Sequence, residues 1–340
     1  MPDPCTEPIR SISVLMPTWQ GIEFLARVLD ALAGQRAPLP WDLHVVDSGS
    51  TDGTRELLEA RRAGFPVPLH LATIEPAEFD HGDTRNLLST RSRGDLLVHL
   101  TQDAIPSRPD WLAVLARNFE DPLVGAAYCR NVARADARVL TRLFCRSDPN
   151  YAEERREVRL PDAEALARLS PTERRLLYNF NDVASAVRRE LWERHPFPRT
   201  MMGEDLLLGR GILEAGYTVV FDVEATVDHS HDYGPEKTQW RGFVDAKFNA
   251  EWLGRVSIES EADVATQCAL LVAEDARLLG ALRTPPDELL RLCEEARVLR
   301  AASLRGLYEG GRSRWRYPRT RMRDRSDLRV LLVAHGAPGE

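Results

Sequence analysis

The 340-residue chain has no apolar run approaching the roughly 18 residues that a helix needs to span a bilayer, so no membrane-crossing segment is expected. Its five cysteines, Cys5, Cys129, Cys145, Cys268 and Cys293, show no C-x-x-C spacing. That scatter suits neither a disulfide framework nor a zinc site, and it points to a reducing cytoplasm. Basic residues are not in excess: 45 against 52 acidic side chains give a formal charge of −7. A nucleic-acid partner is thereby excluded, because neutralising phosphates needs a broad basic face. Met1–Arg10, with two acidic residues and three prolines, does not read as a secretory signal. Internal repeats and long low-complexity tracts are also missing. What the chain does have is 43% hydrophobic residues, enough for a packed core. Its length fits two domains, or one α/β domain with a helical extension.

Short Val, Ile and Leu runs alternate with helical-period segments through the first two-thirds. Ser11–Met16 reads as a strand ended by Pro17, and Leu43–Val46, Leu69–Ile74 and Leu96–Leu100 as three more. Between them, Leu25, Val28, Leu29 and Leu32 recur at helical spacing before Gly34, and Thr54–Arg62 and Thr84–Thr90 are also helical. This rhythm predicts a mostly parallel sheet flanked by helices, whose ligand lies beyond the carboxyl ends of the strands. Ala133–Leu177 is polar and irregular, and reads as an insertion or mobile cover. Asp182–Val187 restores regularity, followed by helices over Glu190–His195 and Asp205–Ala215 and strands over Thr218–Phe221 and Ala225–Val227. Past His231 the chain is nearly all helical to Leu307, and then turns basic around Trp315 and Tyr317.

Five segments carry chemistry. V-V-D-S-G-S-T-D-G-T (Val45–Thr54) delivers Asp47 at a strand end into a loop of small residues. Such a loop admits a planar group or a phosphate, and Asp47 can accept from a base N–H. It also reads as a turn with Ser50, Thr51 or Asp52 capping a helix. E-F-D-H-G-D-T-R-N (Glu78–Asn86) offers the donor fork of Arg85, in a stretch more polar than a cap at Asp83 or Thr84 requires. H-L-T-Q-D-A-I-P (His99–Pro106) places Asp103 after a strand, where a carboxylate can hold a cation that bridges phosphates. M-G-E-D-L-L-L-G-R (Met202–Arg210) pairs Glu204 with Asp205 at a helix start. One of that pair can serve as a general base, although the helix dipole alone also favours acids there. V-D-H-S-H-D-Y (Val227–Tyr233) projects His229 and His231 the same way from an extended chain, as metal ligands or phosphate partners.

Taken in order, V-V-D-S-G-S-T-D-G-T, T-R-N, T-Q-D-A-I-P and G-E-D-L-L-L-G-R resemble the inverting nucleotide-sugar glycosyltransferases of family 2 with the GT-A fold. E-F-D-H-G-D-T-R-N, L-T-Q-D-A, N-D-V-A-S-A-V-R-R-E-L-W and H-S-H-D-Y are more narrowly similar to the bacterial rhamnosyltransferase branch. The resemblance spans Ser11 to Leu253 and implies a transfer domain over 1–253, with a helical region and basic tail over 254–340. It implies a donor linked to dTDP or UDP, most specifically dTDP-L-rhamnose. The acceptor would be a saccharide or lipid-linked hydroxyl in surface polysaccharide synthesis, and the cofactor Mg²⁺ or Mn²⁺.

By the same resemblance, Thr18 and Asp47 line the nucleoside pocket, with Asp47 on the pyrimidine N3–H, and Arg85 reaches the base or a phosphate. Asp103 matches the last acid of the family's D-x-D signature, Asp205 the base, and Glu204 its support. His229 falls at a common metal-binding position, with His231 as the alternative. Gln102, placed with Asp103 among the nucleotide-sugar-binding residues, departs from the family's acid-rich signature, which keeps one carboxylate here, and so puts metal affinity in question. The 133–177 segment and the C-terminal helices suit an acceptor site or a homo-oligomer interface equally. The basic tail suits peripheral contact with anionic lipid on the inner face of the cell membrane as well as it suits plain solvation. Two rival functions stay open. A sugar-phosphate nucleotidyltransferase would want a basic loop where this chain has P-T-W-Q-G, and a non-catalytic carbohydrate-binding or scaffolding protein of the same fold would have no need of Asp103 or Asp205.

Overall fold

The computed structural model describes residues 8–160 and 162–314. Nine strands form one sheet: β1 (Ile12–Thr18), β2 (Trp41–Asp47), β3 (Leu69–Thr73), β4 (Leu96–Leu100), β5 (Ile105–Pro106), β6 (Val124–Val132), β7 (Arg156–Val158), β8 (Ala184–Arg188) and β9 (Thr218–Asp228). Their order is β3-β2-β1-β4-β8-β6-β9-β5, with β7 also on β9. The first half, β3-β2-β1-β4, is parallel throughout. β8 then enters antiparallel to both β4 and β6, and β5 and β7 run antiparallel to β9. The α/β expectation holds, with a mixed second half.

Twelve α-helices accompany the sheet among the described residues. The first four are α1 (Ile22–Ala33), α2 (Thr54–Arg62), α3 (His81–Arg91) and α4 (Trp111–Arg117). Next come α5 (Val139–Cys145), α6 (Ala163–Arg168), α7 (Pro171–Leu177), α8 (Arg189–Arg194) and α9 (Glu204–Glu214). The last three are α10 (Pro235–Leu253), α11 (Glu261–Ala281) and α12 (Pro286–Arg312). α1 buries Leu25, Val28, Leu29 and Leu32, the i, i+3, i+4, i+7 stripe of a helix lying on a sheet. The central strands are buried on both faces. Val14 and Met16 of β1 join one core with Leu43, Val98 and Trp111, while Leu15 between them joins a second with Val46, Leu97 and Phe221.

Three local readings change. β1 continues through Pro17 to Thr18, because its pairing with β4 stops at Leu15. The missing proline N–H therefore leaves no neighbouring acceptor unpaired. The two short strands expected near the end of the sheet are one strand, β9, whose register against β6 jumps between Cys129 and Arg130 and so takes up a bulge. α3 begins three residues early, at His81, capped by Asp80, whose carboxylate accepts from Gly82 and Asp83 N–H. The segment read as an insertion contributes α5, α6, α7 and β7.

At the C-terminus α10 and α12 touch backbone to backbone. A Cβ on Gly306 or Gly310 would fall on the carbonyls of Gln239 and Phe243 respectively. α11 and α12 share a smaller core of Leu279, Leu292, Ala296 and Leu299, which α5 joins through Leu140 and Leu143. Among the described residues no helix is long and apolar enough to cross a membrane. The tail around Trp315 and Tyr317 lies outside the described residues.

Candidate active site

The carboxyl ends of β1, β2 and β4 lie side by side, and the residues just beyond them form three corners of one site. In the first, Thr18 and Asp47 are register partners in adjacent strands. Thr18 Oγ1 donates to Asp47 Oδ2 at 2.9 Å, Ser50 Oγ to the same oxygen at 2.6 Å, and Ser50 N–H to Oδ1 at 2.8 Å. Asp47 is fully buried. A carboxylate accepts about four hydrogen bonds, so these three leave one acceptor position unused. Ser50 acts on Asp47 and does not cap α2, whose N-cap is Gly53.

The second corner is a cluster of Asp103, His229 and His231. Asp103 Oδ2 lies 3.6 Å from His229 Nε2 and 3.5 Å from His231 Nε2. These three donor atoms lie within 4.8 Å of one another. Ligand atoms bound at ~2.1 Å to one ion stand about 3–3.5 Å apart, so the spacing fits a single divalent cation. Burial works to raise the Asp103 carboxyl, but His229, His231 and the Thr101 hydroxyl outweigh it and hold Asp103 below its ordinary value. Burial also lowers both imidazoles, His231 to about 4 with His229 adding to the effect. At neutral pH, then, one carboxylate and two neutral imidazoles converge, the donor chemistry a transition-type cation prefers. The 133–177 segment fixes this corner: Tyr151 Oη donates to the His229 carbonyl at 2.8 Å, and Arg134 N–H donates to Ser230 Oγ at 3.1 Å.

The third corner surrounds Arg85, which is 6% exposed. The resemblance directed Arg85 to the base or a phosphate; in the structure it turns onto carboxylates. Its Nη1 lies 2.8 Å from Glu204 Oε1 and its Nε 3.2 Å from Asp182 Oδ2. Asp182 is buried, and its Oδ1 accepts from Ser185 Oγ at 2.6 Å. Asp205 is partly exposed and accepts from Leu206 N–H at 2.8 Å and from Asp182 N–H at 3.2 Å. Negative charge exceeds positive here. Burial, with Asp205 and Glu204 nearby, pushes Asp182 up to about 7 against the pull of Arg85. Burial and then Glu204 raise Asp205 as well.

Hydrogen bonds tie the second and third corners together. Thr101 N–H donates to the Val183 carbonyl at 3.0 Å, so Asp103, two residues on, and Asp182, one residue back, flank one bridge. Asp182 sits inside the quoted N-D-V-A-S-A motif but had drawn no role. Because β8 is antiparallel to β4, its amino end lies where the carboxyl end of β4 lies, and a search limited to residues after strands passes over it. Gln102 bonds to the Trp19 backbone: its Oε1 accepts from Trp19 N–H and its Nε2 donates to the Trp19 carbonyl, both at 2.8 Å.

A second histidine-containing group lies near the amino ends of β2 and β3. Asp42 Oδ2 is 3.0 Å from His44 Nε2 and 3.7 Å from His70 Nε2. The two rings stack 4.4 Å apart at 24°, and the three donor atoms lie within 4.8 Å of one another, at the end of the strands opposite Asp103.

Residues 13–176 match the family described as Glycosyl transferase family 2. The chain is 32% identical over 248 residues to an O-antigen chain rhamnosyltransferase of Salmonella typhimurium strain LT2, covering 72% of this chain and 74% of that protein. It is 32% identical over 221 residues to an O-antigen chain rhamnosyltransferase of Salmonella anatum, covering 64% of this chain and 65% of the relative, just under two thirds of its length. Its fold is similar to that of a mannosyltransferase from Pyrobaculum calidifontis solved with GDP-Man and Mn²⁺, at a TM-score of 0.59 and 22% identity over 91% of this chain and 90% of that one. It is also similar to S. aureus TarS solved with UDP-GlcNAc, at a TM-score of 0.51 and 16% identity over 88% and 90% of the two chains.

Proposed function

Because the chain belongs to glycosyl transferase family 2 and carries the GT-A fold, we propose that it moves L-rhamnose from dTDP-L-rhamnose onto a hydroxyl of a growing surface polysaccharide, with inversion at C1. The observation that carries this reading is the bridge between β4 and β8, which holds a cation-binding set and a raised carboxylate pair at one end of the sheet. The rhamnose rests on likeness to the two Salmonella enzymes.

In this reading Thr18, Asp47 and Ser50 form the floor under the donor base, and the remaining acceptor direction of Asp47 takes a base N–H. Asp103, His229 and His231 would hold a divalent cation, Mn²⁺ or Mg²⁺, which would supply positive charge beside the diphosphate. Asp205 accepts the proton of the acceptor hydroxyl as that oxygen attacks C1 from the face opposite the diphosphate. Its raised pKa suits a base working near neutrality. Glu204 and Arg85 keep the Asp205 helix start in place, and the Asp182 N–H aims the Asp205 carboxylate. Residues 1–253 act as the transfer unit, with the acceptor, a saccharide or lipid-linked saccharide, entering on the Asp205 side.

The test is to incubate the chain with Mn²⁺, a rhamnose-containing lipid-linked acceptor, and in turn dTDP-L-rhamnose, UDP-glucose and GDP-mannose, and to measure released nucleoside diphosphate. Fastest release from dTDP-L-rhamnose is expected. Faster release from either other donor overturns the donor assignment.

A further inference from the structure

Gln102 stands immediately before Asp103, and its hydrogen bonds show what a neutral amide provides at this place. The side-chain amide faces a single backbone unit, accepting from Trp19 N–H and donating to the Trp19 carbonyl, both at 2.8 Å. Neither Asp nor Glu can do this, because an ionised carboxylate has no donor. Space for the clamp comes from Gly21, where a Cβ would fall directly on Gln102 Oε1.

The clamped segment is itself under tension and locked on its other side. Gln20 has φ 48°, the left-handed region that a side chain rarely adopts. Its N–H donates to Ser50 Oγ at 2.9 Å, and its side-chain oxygen accepts from Thr51 N–H at 2.7 Å. Gly21 N–H donates to Thr54 Oγ1 at 2.9 Å, and Ile22 N–H to Asp52 Oδ2 at 3.1 Å. Residues 18–22 are thus held by the β2–α2 loop on one side and by Gln102 on the other. Ser50 also holds Asp47, so the same bonds reach the base floor.

We infer that Gln102 is a positioning residue: by clamping the Trp19 backbone it presets the 18–22 loop against which the nucleoside diphosphate seats. This rests on the transfer reading above for the identity of the ligand, and on geometry alone for the clamp. Using a neutral amide also leaves Asp103 as the single formal negative charge of the cation cluster, so that the two imidazoles supply the other donors.

The experiment compares wild type, Gln102→Ala, Gln102→Glu and Gly21→Ala by amide hydrogen exchange without ligand, by calorimetric titration with dTDP and with UDP, and by thermal midpoint. In Gln102→Ala the Trp19 amide is expected to exchange at least about tenfold faster, and the nucleoside diphosphate that binds to lose about tenfold in affinity, the scale of one or two lost hydrogen bonds. The melting midpoint should move by less than a surface substitution allows, about 2 °C. Gln102→Glu keeps the acceptor for Trp19 N–H, so it should preserve slow exchange at that amide yet still bind nucleotide more weakly. Gly21→Ala should reproduce the Gln102→Ala defects by displacing the amide. Unchanged Trp19 exchange in Gln102→Ala, or equal nucleotide affinity in all four proteins, overturns the inference. If wild type binds neither dTDP nor UDP, the transfer reading fails, and the exchange measurement still decides whether the clamp exists.

Discussion

Two acidic corners of one site solve the problem of buried negative charge in opposite ways. Around Asp103 the charge is single and its neighbours are neutral imidazoles, all three converging on a common point. Around Arg85 several carboxylates gather, and the compensating cation belongs to the protein itself. The first arrangement leaves room for a cation from solution; the second is closed internally and leaves Asp182 and Asp205 with raised proton affinity. One corner is therefore suited to hold a metal and the other to hold a proton, although both are built from Asp and Glu.

That contrast can be broken at four points, of which the loss of the base has the largest effect. Asp205→Asn should lower turnover by about 10²–10⁴-fold, the usual scale for a positioned base, while calorimetry finds nucleoside diphosphate binding unchanged. Turnover near wild type would leave the proton corner without a base. Asp103→Asn should weaken Mn²⁺ binding, followed by the free-ion paramagnetic resonance signal, by more than the ~100-fold that loss of an outer-shell partner can bring. Equal Mn²⁺ affinity in that variant would mean that the imidazoles serve some other purpose. Arg85→Met leaves buried carboxylates without their partner and should destabilise the fold by about 3–5 kcal/mol in urea unfolding, with Mn²⁺ affinity little changed if the corners are separable.

The fourth point sharpens the pH behaviour. Asp182 binds its proton more tightly folded, at about 7, than at its ordinary 3.8. Stability is therefore lost as pH climbs from about 4 to about 7 and is level above that. Asp182→Asn keeps an oxygen for Ser185 and removes the titration, so its melting midpoint should gain on wild type between pH 4.5 and pH 8. A difference that stays constant over that range would show that Asp182 titrates normally.

Much of this was legible before any coordinates. Strands β1 to β4 announce themselves as short apolar runs, and the rule that ligands lie beyond parallel strand ends leads straight to Asp47 and Asp103. The ordered motifs pointed to family 2, and the Salmonella relatives bear that out. Asp182 escaped because it precedes a strand, and only the antiparallel entry of β8 brings its amino end to the site. Arg85 illustrates a different limit: the segment marks a charged donor fork, but whether it turns to ligand or to carboxylates depends on Asp182 and Glu204, roughly a hundred residues away. Gln102 was noted for the carboxylate it lacks. Its two bonds to Trp19 become visible only when the two loops are adjacent.

The glycine contact between α10 and α12 has a consequence for the metal-binding end of the molecule. At Gly306 and Gly310 no side chain separates the two backbones, so nothing compressible there absorbs a change in their spacing. α10 starts at Pro235, four residues after His231, whose ring stacks on Tyr233 at 4.7 Å. A methyl group added at Gly306 or Gly310 would thus act as a wedge, and the leverage would be felt at the imidazoles. A remote pair of hydrogens on two Cα atoms thus helps to fix the helix that leads away from the histidine corner.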